Sequence, residues 1–276
     1  MNAVIDRPHA TGTWFDGKWI EGLRRLPTEA ELPHSDGEVL ETQWHRDVML
    51  QLIDCANYHF RDRNDWWCGG DMFLYFNLDM VKSKDFRGPD FFFVKGVEKR
   101  SRLSYVVWEE GGHFPNVIIE TISESTRDKD LGEKKVIYER VFETPEYFVV
   151  EPDRQTMLGW RLENGRYQAI APVNGRLRCE QLGLDLGFWE GEWIVYRDIY
   201  PRFFYPDGRL VPTFREASEA ERDAERRNAE AERQKTEAER QKTEAAIRQV
   251  SEATAINAAL VREIDALKAK LAEKSS

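Results

Sequence analysis

Two carboxylates and one amine stand where the surrounding apolar pattern gives no reason for a charge. Asp90 follows Pro89 at the mouth of the run DFFFV, residues 90–94, and Glu120 interrupts NVIIETI, residues 116–122. A carboxylate inside a buried strand is costly unless it is paired, hydrogen-bonded or bound to a cation. Lys134 is the third anomaly. At about 100° per residue, Leu131, Ile137, Tyr138, Val141 and Phe142 form an apolar helical stripe about 140° wide, and Lys134 projects near its middle. Lys135 falls towards one edge of the stripe, where its head can reach solvent. An amine facing a core wants a carboxylate or an anionic ligand, and Asp130, one turn earlier, is a candidate partner.

Two carboxylates on adjacent strands and a lysine are the parts that magnesium-assisted phosphodiester hydrolysis needs. The acids hold hard Mg²⁺, or Mn²⁺, through oxygen, and the metal activates a water and stabilises charge on the phosphate. The lysine orients that water or stabilises the developing oxyanions. Each residue also has a structural alternative. Asp90 can cap a turn after Pro89, Glu120 can partner a buried Arg, and Lys134 can close an ion pair with Asp130 or Glu120. Asp71, beside Gly70, is a candidate third acidic metal ligand, although a turn residue is its commoner role. His45 reads as an ordinary histidine, and Glu109 and Glu110, before Gly111-Gly112, read as a solvated loop.

The elements that must position these groups follow from periodicity. Residues 1–35 form an arm with Trp14, Phe15 and Trp19 as anchors, and Trp44, Val48, Leu52, Ile53, Cys55 and Ala56 predict an amphipathic helix over 38–60. Strands are expected at 72–77, at 90–94 (central and covered on both faces), as a pair around 103–108, and at 116–122. A helix over 126–142, capped by Thr126 or Asp128, comes next. Strands at 146–150, 156–162 and 166–170 follow, with a Pro152-Asp153 turn after the first. This order implies an α/β fold: a mixed sheet flanked by helices, with the second helix crossing between neighbouring strands.

The architecture changes after residue 212. No aromatic residue follows Phe214, and no Pro or Gly follows Arg215. AERQKTE occurs twice in tandem, at 231–237 and 238–244. Val250, Ala253, Asn257, Leu260, Ile264, Leu267 and Leu271 then alternate at three and four residues, a heptad seam with Asn257 at an a position. The expectation is a nuclease-like domain at 1–212 and a coiled-coil helix at 213–276, which makes the protein a homodimer unless a different chain uses the same seam. The stretch 215–245 fits a solvated single helix held by charge pairs equally well.

Composition bounds the remaining classes. An aromatic content of 12 % excludes a disordered chain, and no run of eighteen apolar residues or basic leader points to a membrane or to secretion, so a cytoplasmic protein is expected. Cys55, Cys68 and Cys179 lack zinc-ligand spacing and read as reduced structural thiols. Residues 213–276 carry 13 basic and 14 acidic side chains of the total 40 and 50, which leaves 27 against 36, a net −9, for residues 1–212. An acidic domain has no bulk attraction for nucleic acid, so DNA binding must rest on a local patch or on bound cations.

Pro89-Asp90, VIIETIS with Glu120, then Asp130, Lys134 and Tyr138 at spacings of four, and TPEYFVVEPD at 144–153 together resemble the Uma-two family of restriction endonucleases. That family lies within the PD-(D/E)XK superfamily, and the resemblance covers roughly residues 35–190. It implies a restriction-endonuclease-like core of helix, three strands, helix and strand, and a DNA endonuclease activity. The superfamily's usual lysine position, two residues after the glutamate, is Ile122 here; the resemblance implies that Lys134 supplies the amine from the next helix. Two other readings share these residues: a catalytically inactive nuclease-fold interaction protein assembled by its coiled coil, and a nuclease acting on RNA or free single-stranded ends.

Overall fold

The computed structural model describes residues 12–15, 18–21, 28, 31, 42–77, 88–122, 127–151 and 155–274. In chain order the elements begin with β1 (Gly12–Phe15), β2 (Lys18–Glu21), α1 (Gln43–His59), β3 (Trp66–Gly69), β4 (Leu74–Tyr75), β5 (Phe91–Lys95), β6 (Tyr105–Val106) and β7 (Val117–Thr121). Helix α2 spans 127–140 in three pieces: an α-helical turn Arg127–Lys129, a π-helical turn Asp130–Lys134 and an α-helical segment Lys135–Arg140. Then come β8 (Glu146–Glu151), β9 (Thr156–Glu163), β10 (Arg166–Ala169), β11 (Arg176–Cys179), β12 (Leu184–Trp193), β13 (Tyr196–Phe204) and α3 (Phe214–Lys274). The chain divides into two compact units, Met1–Phe214 and Arg215–Ser276.

The first unit is built on a six-stranded mixed sheet in the order β10-β9-β8-β7-β5-β3. Only β7 and β8 run parallel, and α2 is the crossover that a parallel pair requires. Strand alternation sorts side chains into two layers. Phe91, Phe93, Val117, Ile119, Phe148 and Val150 face a core shared with α1 and the separate sheet β11-β12-β13. Phe92, Val94, Ile118, Ile122, Tyr147 and Val149 face a second core with Tyr138 and Phe142. Glu120 lies between Ile118 and Ile122, so alternation delivers its carboxylate to the α2 face. Helix α1 packs through Val48, Leu52, Cys55 and Ala56, and the Thr42 side chain caps it by accepting from the His45 N–H.

Several expectations need correction. Phe91, Phe92, Phe93 and Val94 are fully covered and Asp90 is half-buried, but the strand lies second from the sheet edge, because β3 rather than a later strand pairs outside it. The strands expected at 72–77 and 103–108 shrink to β4 and β6, two residues each, paired parallel in a sheet of their own. Sequence periodicity did not foresee β11 to β13, whose alternation is interrupted by Gly187, Gly191 and a mixture of aromatic and acidic side chains. Glu110 is not solvated: its carboxylate is buried, bidentate to Arg102 at 2.7 Å and bonded to Arg100 at 2.6 Å, and these pairings hold it below the usual carboxylate range against the opposing effect of burial. Val141, expected on the apolar stripe of α2, is largely exposed. The helix ends at Arg140 and Val141 is its C-cap residue, so the helical period no longer fixes the direction of its side chain. All three cysteines are free and buried.

Of the N-terminal arm, β1 and β2 pair antiparallel with Trp14 opposite Trp19, and most of the remainder lies outside the described residues. Thr126, residues 38–41 and the Pro152-Asp153 turn lie outside them as well. Among the described residues no helix is long and apolar enough to cross a membrane. The second unit is the single helix α3, 61 residues, roughly 90 Å at 1.5 Å per residue.

Candidate active site

Asp90 and Glu120 reach one another because β5 and β7 are antiparallel neighbours, with Phe91 opposite Ile119. The Asp90 N–H points at Glu120 Oε2, 3.4 Å away. Thr121, the next residue on β7, fixes the Asp90 carboxylate. Its N–H donates to Asp90 Oδ2 at 2.6 Å, and its hydroxyl donates to the same oxygen. From the other side, Gly70 presses against the Asp90 carbonyl: a Cβ there would sit 1.9 Å from that oxygen, so the close approach requires glycine.

Glu120 is buried to 1 % exposure and still finds two partners on α2. The Tyr138 hydroxyl donates to Oε1 at 2.7 Å, and Lys134 Nζ lies 3.2 Å from the same oxygen. Lys134 Nζ is also 2.7 Å from Oδ1 of the buried Asp130. The amine expected from helical geometry therefore bridges both acids, well inside the ~6 Å that separates direct coupling from mere proximity. Asp90, Glu120 and Lys134 converge on the α2 face of the sheet, at the β5 and β7 ends.

The π turn is part of this placement. The Tyr147 hydroxyl, from β8, donates to the Asp130 carbonyl at 3.0 Å, where an ordinary α-helix would use only a backbone N–H. A side chain inserted into the backbone ladder is a recognised cause of local helix distortion, and such wide turns recur at functional sites. Arg127, paired with the buried Glu151, ties the first turn of α2 to β8.

Electrostatics follow from burial. Desolvation, helped by Asp90 and Asp130, pushes Glu120 up to about 7 against the opposing Lys134 charge and Tyr138 hydrogen bond. Burial works against the Lys134 ammonium, but Glu120 and Asp130 outweigh it and hold the amine charged well above the ordinary lysine range. Burial, then the neighbouring Glu120, likewise raises the Tyr138 phenol, which stays a hydrogen-bond donor. With all groups ionised, three carboxylates face one ammonium, and a divalent cation is the charge that balances them.

The donor chemistry fits Mg²⁺ or Mn²⁺, which are commonly held by one or two carboxylates with water and substrate phosphate as the other ligands. Asp90 and Glu120 would hold it. Asp71, the further candidate ligand, is exposed in a left-handed turn conformation (φ 49°), and its N–H donates to the Pro89 carbonyl at 2.9 Å, next to Asp90 in the chain. Among the described residues no group of three or more His, Cys, Asp or Glu side chains is arranged to hold a metal. Sequence reasoning missed Thr121 and Tyr147 as positioning groups, because a threonine on a strand and a tyrosine in an apolar run carry no signal that separates them from packing residues.

No curated protein matches the chain. Among solved structures, a chain described as a "putative nuclease belonging to DUF820" from Anabaena variabilis is similar at 12 % identity and a TM-score of 0.39, over 61 % of this chain and 80 % of that one. The model of the Uma2 family, described as "Putative restriction endonuclease", matches residues 20–189, more than half of the chain and the whole of the segment that carries Asp90, Glu120 and Lys134, and the protein belongs to that family.

Proposed function

We propose that the protein is a Mg²⁺- or Mn²⁺-dependent DNA endonuclease that hydrolyses phosphodiester bonds at Asp90, Glu120 and Lys134. The supporting observation is the bridge of the Lys134 amine to Glu120 and Asp130 beside Asp90, a cluster in which carboxylates outnumber ammonium groups. Asp90 and Glu120 act as metal ligands, and a bound Mg²⁺ would supply Lewis-acid stabilisation of the phosphate and a nucleophilic water. Tyr138 and Thr121 hold the two carboxylates in place, so little reorganisation is needed on binding. Lys134, permanently charged and tethered by Asp130, presents a cation to the oxyanion that develops on the scissile phosphate. The long helix is the proposed dimerisation element, and it links two such domains.

The experiment is incubation of purified protein with supercoiled plasmid and Mg²⁺ or Mn²⁺. Nicking or linearisation is expected, with loss of at least 100-fold in Asp90→Ala and Glu120→Ala. Cleavage unchanged in both variants would remove these residues from the mechanism. A second reading, a nuclease fold that binds metal without cleaving, draws on the net −9 of residues 1–212. It predicts Asp90-dependent Mn²⁺ binding by calorimetry with no strand breaks in DNA or RNA.

A further inference from the structure

Helix α3 exposes a continuous apolar seam, and its flanking residues specify what covers it. Val250, Leu260, Ile264 and Leu267 are each half or more exposed, together with Ile256 and Val261 beside them. We propose that the seam is covered by the same helix of a second copy of this chain, parallel and in register. The inference rests on the dimer reading above and adds the orientation.

The case begins with the heptad positions. Val250, Asn257 and Ile264 occupy a; Ala253, Leu260 and Leu267 occupy d. Branched residues at a with leucine at d favour two strands over three or four. In a parallel pair each a residue meets its own copy, so Asn257 meets Asn257 and the two amides satisfy each other. In an antiparallel pair an a residue meets a d residue. Along this seam every d residue is Ala253, Leu260 or Leu267, and the buried Asn257 amide would have no polar partner.

The residues beside the seam point the same way. Parallel packing sets each g residue opposite the e residue five positions on in the other copy. This aligns Ile256 with Val261, Glu263 with Lys268 and Gln249 with Thr254: apolar with apolar, acid with base, polar with polar. The antiparallel register that centres on the same segment would instead set Ile256 against Glu263 and Val261 against Thr254. The apolar pair and the acid–base pair of the parallel register are both lost, and a different partner chain would have no reason to share the Asn257 position or the Glu263–Lys268 spacing.

Cross-linking in the full chain tests this directly, because the native cysteines are all buried and do not compete. Val250→Cys is expected to form a disulfide-linked dimer on mild oxidation, since position 250 meets itself only in the parallel register. An equimolar mixture of Val250→Cys and Leu267→Cys chains should give little mixed disulfide. Glu263→Lys should weaken the dimer several-fold by sedimentation, and adding Lys268→Glu should restore it. A chain that stays monomeric at tens of micromolar would overturn the dimer itself. A dimer that links 250 to 267 in preference to 250 to 250 would overturn the parallel orientation alone. Neither outcome depends on DNA or metal, so both stand apart from the nuclease reading.

Discussion

Two ion pairs of the same sequence spacing sit in the two units of this protein. Asp130 and Lys134 on α2 lie 2.7 Å apart at i,i+4, with side-chain exposures of 3 % and 18 %. Arg240 and Glu244 on α3 lie 2.9 Å apart, also at i,i+4, with exposures of 70 % and 62 %. An exposed helical pair is worth a few tenths of a kcal/mol and weakens with salt, because water solvates both charges nearly as well as they solvate each other. The buried pair is surrounded by the second core and by Glu120, so each of its charges depends on the other. Spacing alone does not distinguish a functional lysine from a decorative one. What distinguishes Lys134 is the apolar stripe around it, and α3 has no such stripe before residue 247.

The comparison breaks most readily if Lys134 is removed. Lys134→Met keeps the aliphatic stem but leaves Asp130 and Glu120 without their cation, an arrangement that costs about 3 kcal/mol in buried settings. Arg240→Met should cost less than about 0.5 kcal/mol. Urea unfolding at low and high salt checks both: the Lys134 effect should persist in 0.5 M salt, whereas the Arg240 effect should vanish. Equal losses would mean that burial does not separate the two pairs. Plasmid cleavage by Lys134→Met should fall at least 100-fold and be unchanged in Arg240→Met.

Glu120 sharpens the comparison through pH. Its folded value near 7 lies above the ordinary 4.5, so between those values the folded protein keeps a proton that the unfolded chain has released. Stability of the metal-free protein should therefore fall as pH rises from 5 to 7, by roughly 3 kcal/mol in all, and level off above 7. Glu120→Gln, which does not titrate, should show no such slope. Adding Mn²⁺ should restore stability to the wild type above pH 7 and do little below pH 5, where Glu120 is protonated. Parallel curves for the two proteins, followed by calorimetry in EDTA, would mean that the carboxylate is not desolvated as its burial requires.

What could be read from the sequence follows the same division. Asp90, Glu120 and Lys134 were legible because each is a charge set against an apolar period. The six-stranded order was partly legible, since β5, β7, β8, β9 and β10 are dense or alternating runs. Glu110 was not, because its burial is bought by Arg100 and Arg102 from a loop with no period of its own. Glu146 was also silent: it looks like the polar start of a strand, yet it is buried. There it accepts from Arg161 on β9 and from the backbone N–H groups of Glu180 and Gln181, partners that only the folded sheet brings near. The π turn left no trace in periodicity, since one widened turn within fourteen residues is smaller than the scatter of an apolar stripe.

That turn carries the smallest prediction. Gly132 lies inside it, with nothing within 4 Å of where a Cβ would project and no positive φ to penalise one. Gly132→Ala should then act mainly on the unfolded chain and raise stability by about 0.5–1 kcal/mol, as in any exposed helix interior. If Tyr147 and the Asp130–Lys134 pair hold the turn open, Mn²⁺ affinity measured by calorimetry will not change. A stability gain accompanied by weaker Mn²⁺ binding would instead show that glycine's freedom sustains the wide turn. The register of Lys134 against Glu120 would then depend on backbone flexibility at residue 132, whereas α3 meets no such demand because its charged side chains face water.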